Sequence, residues 1–144
     1  ASPLEFVSHL LVPEGPLARR LPSADEWEDV RAGFRLARAV ATLDVGQTVV
    51  VKRGVILAVE AAEGTDETIR RGGRLAGGIV VVKAARDDQD ERFDVPAAGL
   101  DTIHALADAG GSVLALEARR TLLLDRPESL EAADRAGLAV VGIT

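Results

Sequence analysis

The fold of the chain is decided by one short stretch, Gly78-Ile79-Val80-Val81-Val82-Lys83. Its consecutive β-branched residues favour an extended strand, and a strand that is apolar on both sides is typical of a sheet covered on both faces. The stretch ends at Lys83, and only Lys52 is also a lysine among the 17 basic residues. Ligand sites gather at the carboxyl ends of strands in α/β sheets, so Lys83 is a candidate phosphate-binding residue. Chance exposure at a strand end is the alternative interpretation.

Helices and strands alternate downstream of this stretch. Asp101 is predicted to cap one helix, and Pro127 lies in the first turn of another. Strands are predicted at residues 113–117, 121–125 and 138–143. This alternation predicts a mixed or parallel sheet with helices packed on it.

A long helix and a β-hairpin are predicted upstream. Ser23 and Glu26 form a capping box at the start of the helix. Arg53-Gly54 joins two β-rich runs, and both are apolar enough to predict cover on both faces of the sheet. An apolar stripe recurs at helical spacing at Trp27, Val30, Phe34, Ala37 and Ala41. The predicted fold class is therefore α/β, a single domain with a mixed sheet and packed helices, beginning with a long helix and a β-hairpin.

Composition argues against several classes of protein. The net charge of -6 and the sequence pI of 4.9 argue against general nucleic-acid binding, which needs a basic face. No apolar run reaches the roughly 18 residues of a membrane span. The chain has no cysteine, which excludes disulfides and thiolate metal sites and fits a reducing compartment. We therefore expect a soluble, cytoplasmic protein without a nucleic-acid partner.

The first 22 residues differ from the rest of the chain. Four prolines interrupt them, so that only a short helix near residues 4–11 is expected. This pattern predicts a connector at residues 1–22, followed by the α/β domain at residues 23–144.

A polar segment at residues 60–71 follows one strand and opens a helix, for which Thr65 is the predicted N-cap. The first turn of a helix presents free amides and the positive end of its dipole, which favours phosphate binding. Glu63 and Asp66 are candidate Mg²⁺ ligands, and Arg70 and Arg71 are candidate phosphate partners. Ordinary capping chemistry explains the same residues, and spacing leaves both interpretations open.

A second polar segment leaves the end of the strongest strand. Asp94 lies just before a proline turn, where a partly desolvated carboxylate could bind a metal or take a proton from water. Gln89 and Arg92 precede it at short spacing. Residues 87–91 are predicted to form a solvated loop, whereas spacing alone leaves the role of Asp94 open. Residues 92–95 are a candidate edge strand.

Several short motifs resemble one family in order and with its gaps. The resemblance is to the C-terminal domain of the two-domain UDP-2,3-diacylglucosamine pyrophosphatase of lipid A biosynthesis, which is distinct from the calcineurin-like enzyme with the same activity. It covers about residues 10–144. It is carried by Glu63-Gly64-Thr65-Asp66, Gln89-x-x-Arg92-x-Asp94-x-Pro96-x-x-Gly99 and Thr121-x-x-x-Asp125-Arg126, with Gly46-Gln47 and Glu26-Trp27 in support.

The resemblance implies an activity and a set of site residues. The activity is hydrolysis of UDP-2,3-diacylglucosamine to 2,3-diacylglucosamine 1-phosphate and UMP, with Mg²⁺ or another divalent cation. Asp94 would be the catalytic carboxylate and a metal ligand. Glu63 and Asp66 would be further metal ligands, and the substrate-binding residues would be Thr65, Lys83, Gln89 and Arg92.

The resemblance also implies partners. The family domain follows an N-terminal Rossmann-like domain, so we expect this chain to be the C-terminal piece of a longer protein and to be inactive alone. An acylated sugar substrate lies in a bilayer, which implies peripheral contact with the inner membrane. A homodimer is a further partner that the sequence leaves open.

Two departures from the family pattern keep other functions open. Pro96-Ala97-Ala98-Gly99 stands where the family usually has Pro-Thr-Ile-Gly, and Arg119 stands where it usually has glycine. The loss of a hydroxyl favours an alternative, a binding module that holds a nucleotide-sugar or lipid without cleaving it. A structural or oligomerising domain, whose charged turns are only caps, is the third hypothesis.

Overall fold

The computed structural model describes residues 10–86 and 95–144. Eight strands and four helices are found in the described residues. In chain order they are β1 (Gly15–Pro16), α1 (Ala24–Thr42), β2 (Thr48–Lys52), β3 (Val55–Val59), α2 (Thr65–Gly73), β4 (Val80–Lys83), β5 (Ala97–Ala98), α3 (Leu100–Asp108), β6 (Val113–Glu117), β7 (Leu122–Leu123), α4 (Arg126–Ala136) and β8 (Ala139–Ile143). The predicted α/β class with a mixed sheet is confirmed, although the two-residue β1 precedes the long helix.

The main sheet has six strands in the order β1-β8-β6-β4-β2-β3. Strands β4, β6 and β8 are parallel, whereas β2 is antiparallel to both β4 and β3. The carboxyl ends of β3, β4, β6 and β8 therefore lie at one edge of the sheet, beside the amino end of β2. We call this edge the carboxyl edge. A separate two-stranded sheet pairs β5 with β7 in parallel.

Helices cover both faces of the main sheet. Helix α1 packs on one face against the side chains of Val49, Val80 and Val113. Helices α2, α3 and α4 pack on the other face, where Val50, Val81 and other residues meet them. Because successive side chains of a strand point to opposite faces, β4 has apolar residues at three consecutive positions, Val80, Val81 and Val82, as the sequence predicted.

The long helix α1 begins as its sequence predicts. The Ser23 hydroxyl accepts a hydrogen bond from the Glu26 amide, and the Glu26 carboxylate accepts one from the Ser23 amide. Gly33 allows close packing, because a Cβ there would lie 2.8 Å from a methyl group of Val82. The helix therefore lies directly on β4 and fixes the strand that carries Lys83.

The predicted hairpin between β2 and β3 is confirmed. Arg53 and Gly54 both have positive φ angles, of 50° and 76°. The buried Asp29 carboxylate accepts hydrogen bonds from both turn amides, at 2.9 and 2.8 Å. The expectation that both hairpin strands are covered on both faces is wrong for β3. Val55 and Ile56 are 58% and 39% exposed, because β3 is an edge strand.

Two predicted helix caps are also wrong. The N-cap of α2 is Gly64, and Thr65 is the first helical residue. Likewise the N-cap of α3 is Gly99, so Asp101 lies within the first turn. In both cases a glycine just before the polar residue adopts the non-helical backbone of the cap. The predicted edge strand falls mainly on residues 92–94, outside the described residues, and most of the predicted helix at 4–11 does as well.

Arg119 has a strained backbone. Its φ is 63°, and its side chain is 65% exposed with Glu14 as a distant ion-pair partner at 3.9 Å. A left-handed conformation costs a non-glycine residue about 1 kcal/mol, whereas such an exposed ion pair contributes little. This strain gives a physical reason why the family that the chain resembles usually has glycine at this position.

Arg119→Gly is therefore expected to raise the free energy of unfolding by about 1 kcal/mol, because glycine adopts the left-handed region without strain. Urea denaturation of the two proteins measures this difference. Arg135→Gly, within helix α4, is the control and should lower the free energy of unfolding by about 1 kcal/mol. Equal or lower stability of Arg119→Gly would contradict the interpretation.

None of the helices in the described part of the chain combines the length and apolarity that a bilayer crossing requires.

Candidate functional site

A cleft of about 650 Å³ opens at the carboxyl edge of the sheet, between α2 and α3. We call it the Lys83 cleft. The residues that line it come from the amino ends of α2 and α3, from the end of β4, from β5 and from the segment after β7. They are Glu63, Gly64, Thr65, Asp66, Glu67, Lys83, Ala97, Ala98, Gly99, Leu100, Asp101, Thr102, Leu124 and Asp125.

Lys83 lies in this cleft with only 7% of its surface exposed. Its ammonium group donates hydrogen bonds to the Thr65 hydroxyl at 2.9 Å and to the Ala97 carbonyl at 3.3 Å. Burial lowers the pKa of Lys83, although the nearby carboxylates of Glu60 and Asp66 oppose this shift. The alternative interpretation, that Lys83 is exposed at a strand end by chance, is therefore wrong. Lys83 is buried, and polar groups accept hydrogen bonds from its side chain.

Polar side chains from neighbouring strands complete the surroundings of Lys83. Thr48 is paired with Lys83 across β2 and β4 and is fully buried. Its hydroxyl lies 3.3 Å from the Thr65 hydroxyl, which in turn donates to Glu60 at 3.5 Å. Thr65 thus links the end of β4 with the ends of β2 and β3.

Two helices point their amino ends into the cleft. Neither Gly64 nor Gly99 offers a side chain to cap its helix, and no side-chain cap hydrogen bond is made. The first amides of α2 and α3 are therefore available to a ligand, and both helix dipoles favour an anion. Asp125, at the start of α4, also lines the cleft.

The two predicted metal ligands in the described residues differ in their surroundings. Asp66 lines the cleft and accepts a hydrogen bond from the Thr102 hydroxyl at 3.3 Å. Glu63 lies at the rim and accepts hydrogen bonds from the Ala61 amide at 2.7 Å and from Arg71 at 2.6 Å. Backbone hydrogen bonds from Ala61 and from its own amide, followed by the Arg71 contact, lower the pKa of Glu63.

Arg70 and Arg71 do not line the cleft. Arg70 pairs with Glu67 at 2.8 Å on the exposed side of α2. Arg71 donates to the Val59 carbonyl at 2.9 Å as well as to Glu63. The structure gives both arginines local partners in place of the predicted phosphate.

A second cavity of about 370 Å³ is also lined by Lys83. Arg86 donates to Asp44 there at 2.5 Å. Lys83 and Ala97 line both cavities. The lining of the second cavity is Asp44, Val45, Gly46, Gln47, Lys83, Arg86, Val95, Pro96 and Ala97.

The chain that leaves β4 is fixed by a buried carboxylate. Glu117, at the end of β6, is 4% exposed and accepts a hydrogen bond from the Ala85 amide at 2.8 Å. Arg38 and Arg120 form ion pairs with the same carboxylate. Arg120 also donates to the Arg86 carbonyl at 2.7 Å. These contacts hold the backbone immediately after Lys83.

Three predicted site residues, Gln89, Arg92 and Asp94, lie outside the described residues. Of the others, the structure brings Thr65, Asp66 and Lys83 together and leaves Glu63 at the rim. In the described ranges, no group of three or more His, Asp or Glu side chains could hold a metal ion. The sequence analysis missed Thr48, Thr102 and the Ala97 carbonyl. Of these three, only Thr48 has a recognisable feature in the sequence, because it is a polar residue at the start of a mainly apolar strand.

Comparison with known proteins connects this geometry to a family. The sequence model of the "LpxI C-terminal domain" matches residues 13–141. A curated relative from Caulobacter vibrioides, the "UDP-2,3-diacylglucosamine pyrophosphatase LpxI", is 37% identical over 148 residues. That alignment covers 96% of this chain and 53% of the relative, so the chain spans about half the length of the curated relative it matches.

Among solved structures, Acinetobacter baumannii RibD (form 2) is similar to this chain with a TM-score of 0.43 and 16% identity. The similarity covers 81% of this chain and 34% of that one, and it is too distant to carry a functional argument. The family match over residues 13–141 and the 37% identity agree with each other. The chain belongs to the LpxI C-terminal domain family.

Proposed function

We propose that this chain is the C-terminal catalytic domain of an enzyme that hydrolyses the diphosphate of UDP-2,3-diacylglucosamine, giving 2,3-diacylglucosamine 1-phosphate and UMP. The reaction is a step in lipid A biosynthesis. The observation that carries the proposal is a buried lysine beside the amino ends of two helices. The name of the Caulobacter relative supports the choice of substrate.

The described residues suit a diphosphate in the Lys83 cleft. A negative charge beside Lys83 would favour its protonated form, which burial alone disfavours. Free amides at the starts of α2 and α3 would donate to phosphate oxygens, and the Thr65 hydroxyl lies 2.9 Å from the ammonium group. Besides the carboxylates that line it, the cleft offers a cation, helix amides and a hydroxyl, which would bind and orient two phosphoryl groups.

Asp66 is the described residue that best fits a divalent metal. Mg²⁺ is usually held by one or two carboxylates together with substrate phosphates and water, so Asp66 with Asp94 would suffice. When bound, the metal would neutralise charge on the diphosphate oxygens. Glu63 stays a predicted ligand, and its use would require an exchange of its hydrogen bonds from Ala61 and Arg71.

Asp94 is proposed as the carboxylate that takes a proton from the attacking water, with Gln89 and Arg92 contacting the substrate. Val95, the next residue, lines the second cavity, which shares Lys83 and Ala97 with the Lys83 cleft. Water attacks phosphorus, the bond to the bridging oxygen breaks, and UMP and the sugar 1-phosphate separate. Lys83 and the helix amides stabilise the charge that remains on the phosphates.

The proposal includes an N-terminal domain, with the substrate bound between that domain and this one. The match to only 53% of the relative supports it. The isolated chain would then be inactive, and the diacylated substrate would bring the enzyme to the cytoplasmic side of the inner membrane. A homodimer is compatible with this arrangement.

The test is release of UMP from UDP-2,3-diacylglucosamine by the protein that carries both domains. We expect UMP release with Mg²⁺, its loss after EDTA, and its return when Mg²⁺ is added in excess. The chain of 144 residues alone is the control and should release no UMP. Full activity of the metal-free protein would contradict the metal assignment, and no release under any condition would contradict the proposed reaction.

A binding module without turnover is the second candidate. Ala97 and Ala98 bring no hydroxyl to the cleft, which favours this alternative. The contact that Ala97 does make is through its carbonyl, which any residue would supply. Calorimetry with UDP-sugars, run beside the UMP assay, separates the two candidates, because a binding module gives heat of binding without product.

A further inference from the structure

The stretch that runs from the end of β6 through β7 contacts both ends of the segment between β4 and β5, which includes Asp94. At the beginning of that segment, the buried Glu117 carboxylate accepts a hydrogen bond from the Ala85 amide at 2.8 Å. At its end, the Leu122 amide donates to the Pro96 carbonyl at 3.0 Å, where β7 pairs with β5. One stretch of chain therefore fixes the backbone at which the segment begins and the backbone at which it ends.

Glu117 is a charged residue in the interior of the protein, where an ionised carboxylate is costly unless it is paired and hydrogen-bonded. Its side chain is 5% exposed and forms ion pairs with Arg38 of α1 and, at 3.6 Å, with Arg120. One carboxylate oxygen contacts these two arginines, and the other accepts the hydrogen bond from Ala85. The carboxylate thus joins α1 to the chain that follows β4.

The groups around this carboxylate are themselves restrained. Arg120 also donates a hydrogen bond to the Arg86 carbonyl at 2.7 Å. The buried Thr121 hydroxyl donates to the Glu117 carbonyl at 2.9 Å, which fixes the backbone of Glu117 itself. Because the carboxylate is held from several sides, the Ala85 amide that is bonded to it has a defined position.

We propose that Glu117 is a positioning residue for the hydrolysis, acting through the backbone of Ala85 on the segment that carries Asp94. This rests on the proposed function, because it takes Asp94 as the carboxylate that accepts the proton. Glu117 lines neither the Lys83 cleft nor the second cavity, so its effect passes through the backbone and not through contact with the substrate. A displacement of about 1 Å at a reacting group can lower a rate roughly 10²-fold.

The test compares Glu117→Ala and Glu117→Gln in the two-domain protein by kcat and KM for UMP release. Alanine removes the acceptor of the Ala85 amide, whereas glutamine keeps a carbonyl oxygen for it and removes the charge. We expect kcat to fall roughly 10²-fold with alanine and roughly tenfold with glutamine. KM should stay within about twofold of the wild type, because the groups that line the Lys83 cleft remain.

Asp29→Asn is the matched control for Glu117→Gln, because Asp29 is also a buried carboxylate that accepts backbone hydrogen bonds. It is 5% exposed and binds the amides of the Arg53-Gly54 turn, at the opposite edge of the sheet. Urea denaturation should show that both substitutions lower stability, whereas only Glu117→Gln should lower kcat of the folded protein. Wild-type kcat in Glu117→Ala, or an equal loss of kcat in Asp29→Asn, would overturn the assignment.

A measurement without catalysis separates this inference from the proposed reaction. Hydrogen exchange of the Ala85 amide is followed by NMR in the two-domain protein and in its Glu117→Ala variant. We expect exchange to be at least about tenfold faster in the variant, because a hydrogen bond to a charged acceptor is lost. Unchanged exchange at Ala85 would overturn the role of Glu117, whereas the absence of UMP release by the wild type would contradict the proposed reaction itself.

Discussion

Replacing Asp94 by alanine in the two-domain protein is expected to lower kcat for UMP release roughly 10²- to 10⁴-fold, the contribution of a well-placed general base. KM should stay close to that of the wild type, because Lys83, Thr65 and the helix amides would still hold the diphosphate. The measurement is the initial rate of UMP release at several substrate concentrations. Calorimetry of uncleaved substrate binding to the Asp94→Ala protein checks that the site is intact.

Asp90→Ala is the matched control for this experiment. Asp90 belongs to the same segment but is predicted to lie in a solvated part of it, so its removal should change kcat by less than about twofold, as a surface substitution away from the site does. Wild-type turnover by Asp94→Ala would remove that residue from the mechanism. An equal loss in Asp90→Ala would mean that the segment needs its overall negative charge and not one particular carboxylate.

The elements that the sequence predicted well depend on local chemistry. The capping box at Ser23 involves only residues close together in the chain, and the Arg53-Gly54 turn joins two adjacent strands, although Asp29 also accepts hydrogen bonds from the turn amides. The strand that ends at Lys83 is likewise predicted by its own β-branched residues. Local preference and tertiary packing agree at these positions, so a pattern in one sequence is enough to find them.

Other features depend on contacts between distant parts of the chain. Strands β5 and β7 have two residues each and exist only because they pair with one another. The caps of α2 and α3 were misplaced by one and two residues, because a polar residue that follows glycine looks like a cap in sequence. Thr48 and Thr102 are 54 residues apart in the chain, and only the fold brings each of them against a residue that lines the Lys83 cleft, Thr65 and Asp66 respectively.

Replacing Lys83 by methionine separates function from stability. Methionine keeps most of the volume of the buried side chain but removes a charge that burial disfavours. We expect kcat/KM for UMP release to fall roughly 10²-fold, because charge-assisted hydrogen bonds to the diphosphate are lost. The free energy of unfolding should rise by roughly 1 kcal/mol, because a buried charge is replaced by an apolar group. This net gain already includes the loss of the hydrogen bonds to Thr65 and Ala97.

The pH dependence of both properties distinguishes a buried lysine from an ordinary one. The pKa of Lys83 is lower in the folded protein than in the unfolded chain. Between the folded pKa and about 10.4, the unfolded chain therefore binds more protons than the folded one. Stability of the wild type should therefore rise with pH through this window relative to Lys83→Met, and the advantage of the variant should shrink.

Affinity of the wild type for inorganic diphosphate should fall through the same window, as Lys83 loses its proton. Lys52→Met is the control, because Lys52 ends the antiparallel β2 at the opposite edge of the sheet and should leave diphosphate affinity unchanged. A Lys83→Met protein that is less stable at every pH, with unchanged diphosphate affinity, would show that Lys83 is a structural hydrogen-bond donor and no part of an anion site.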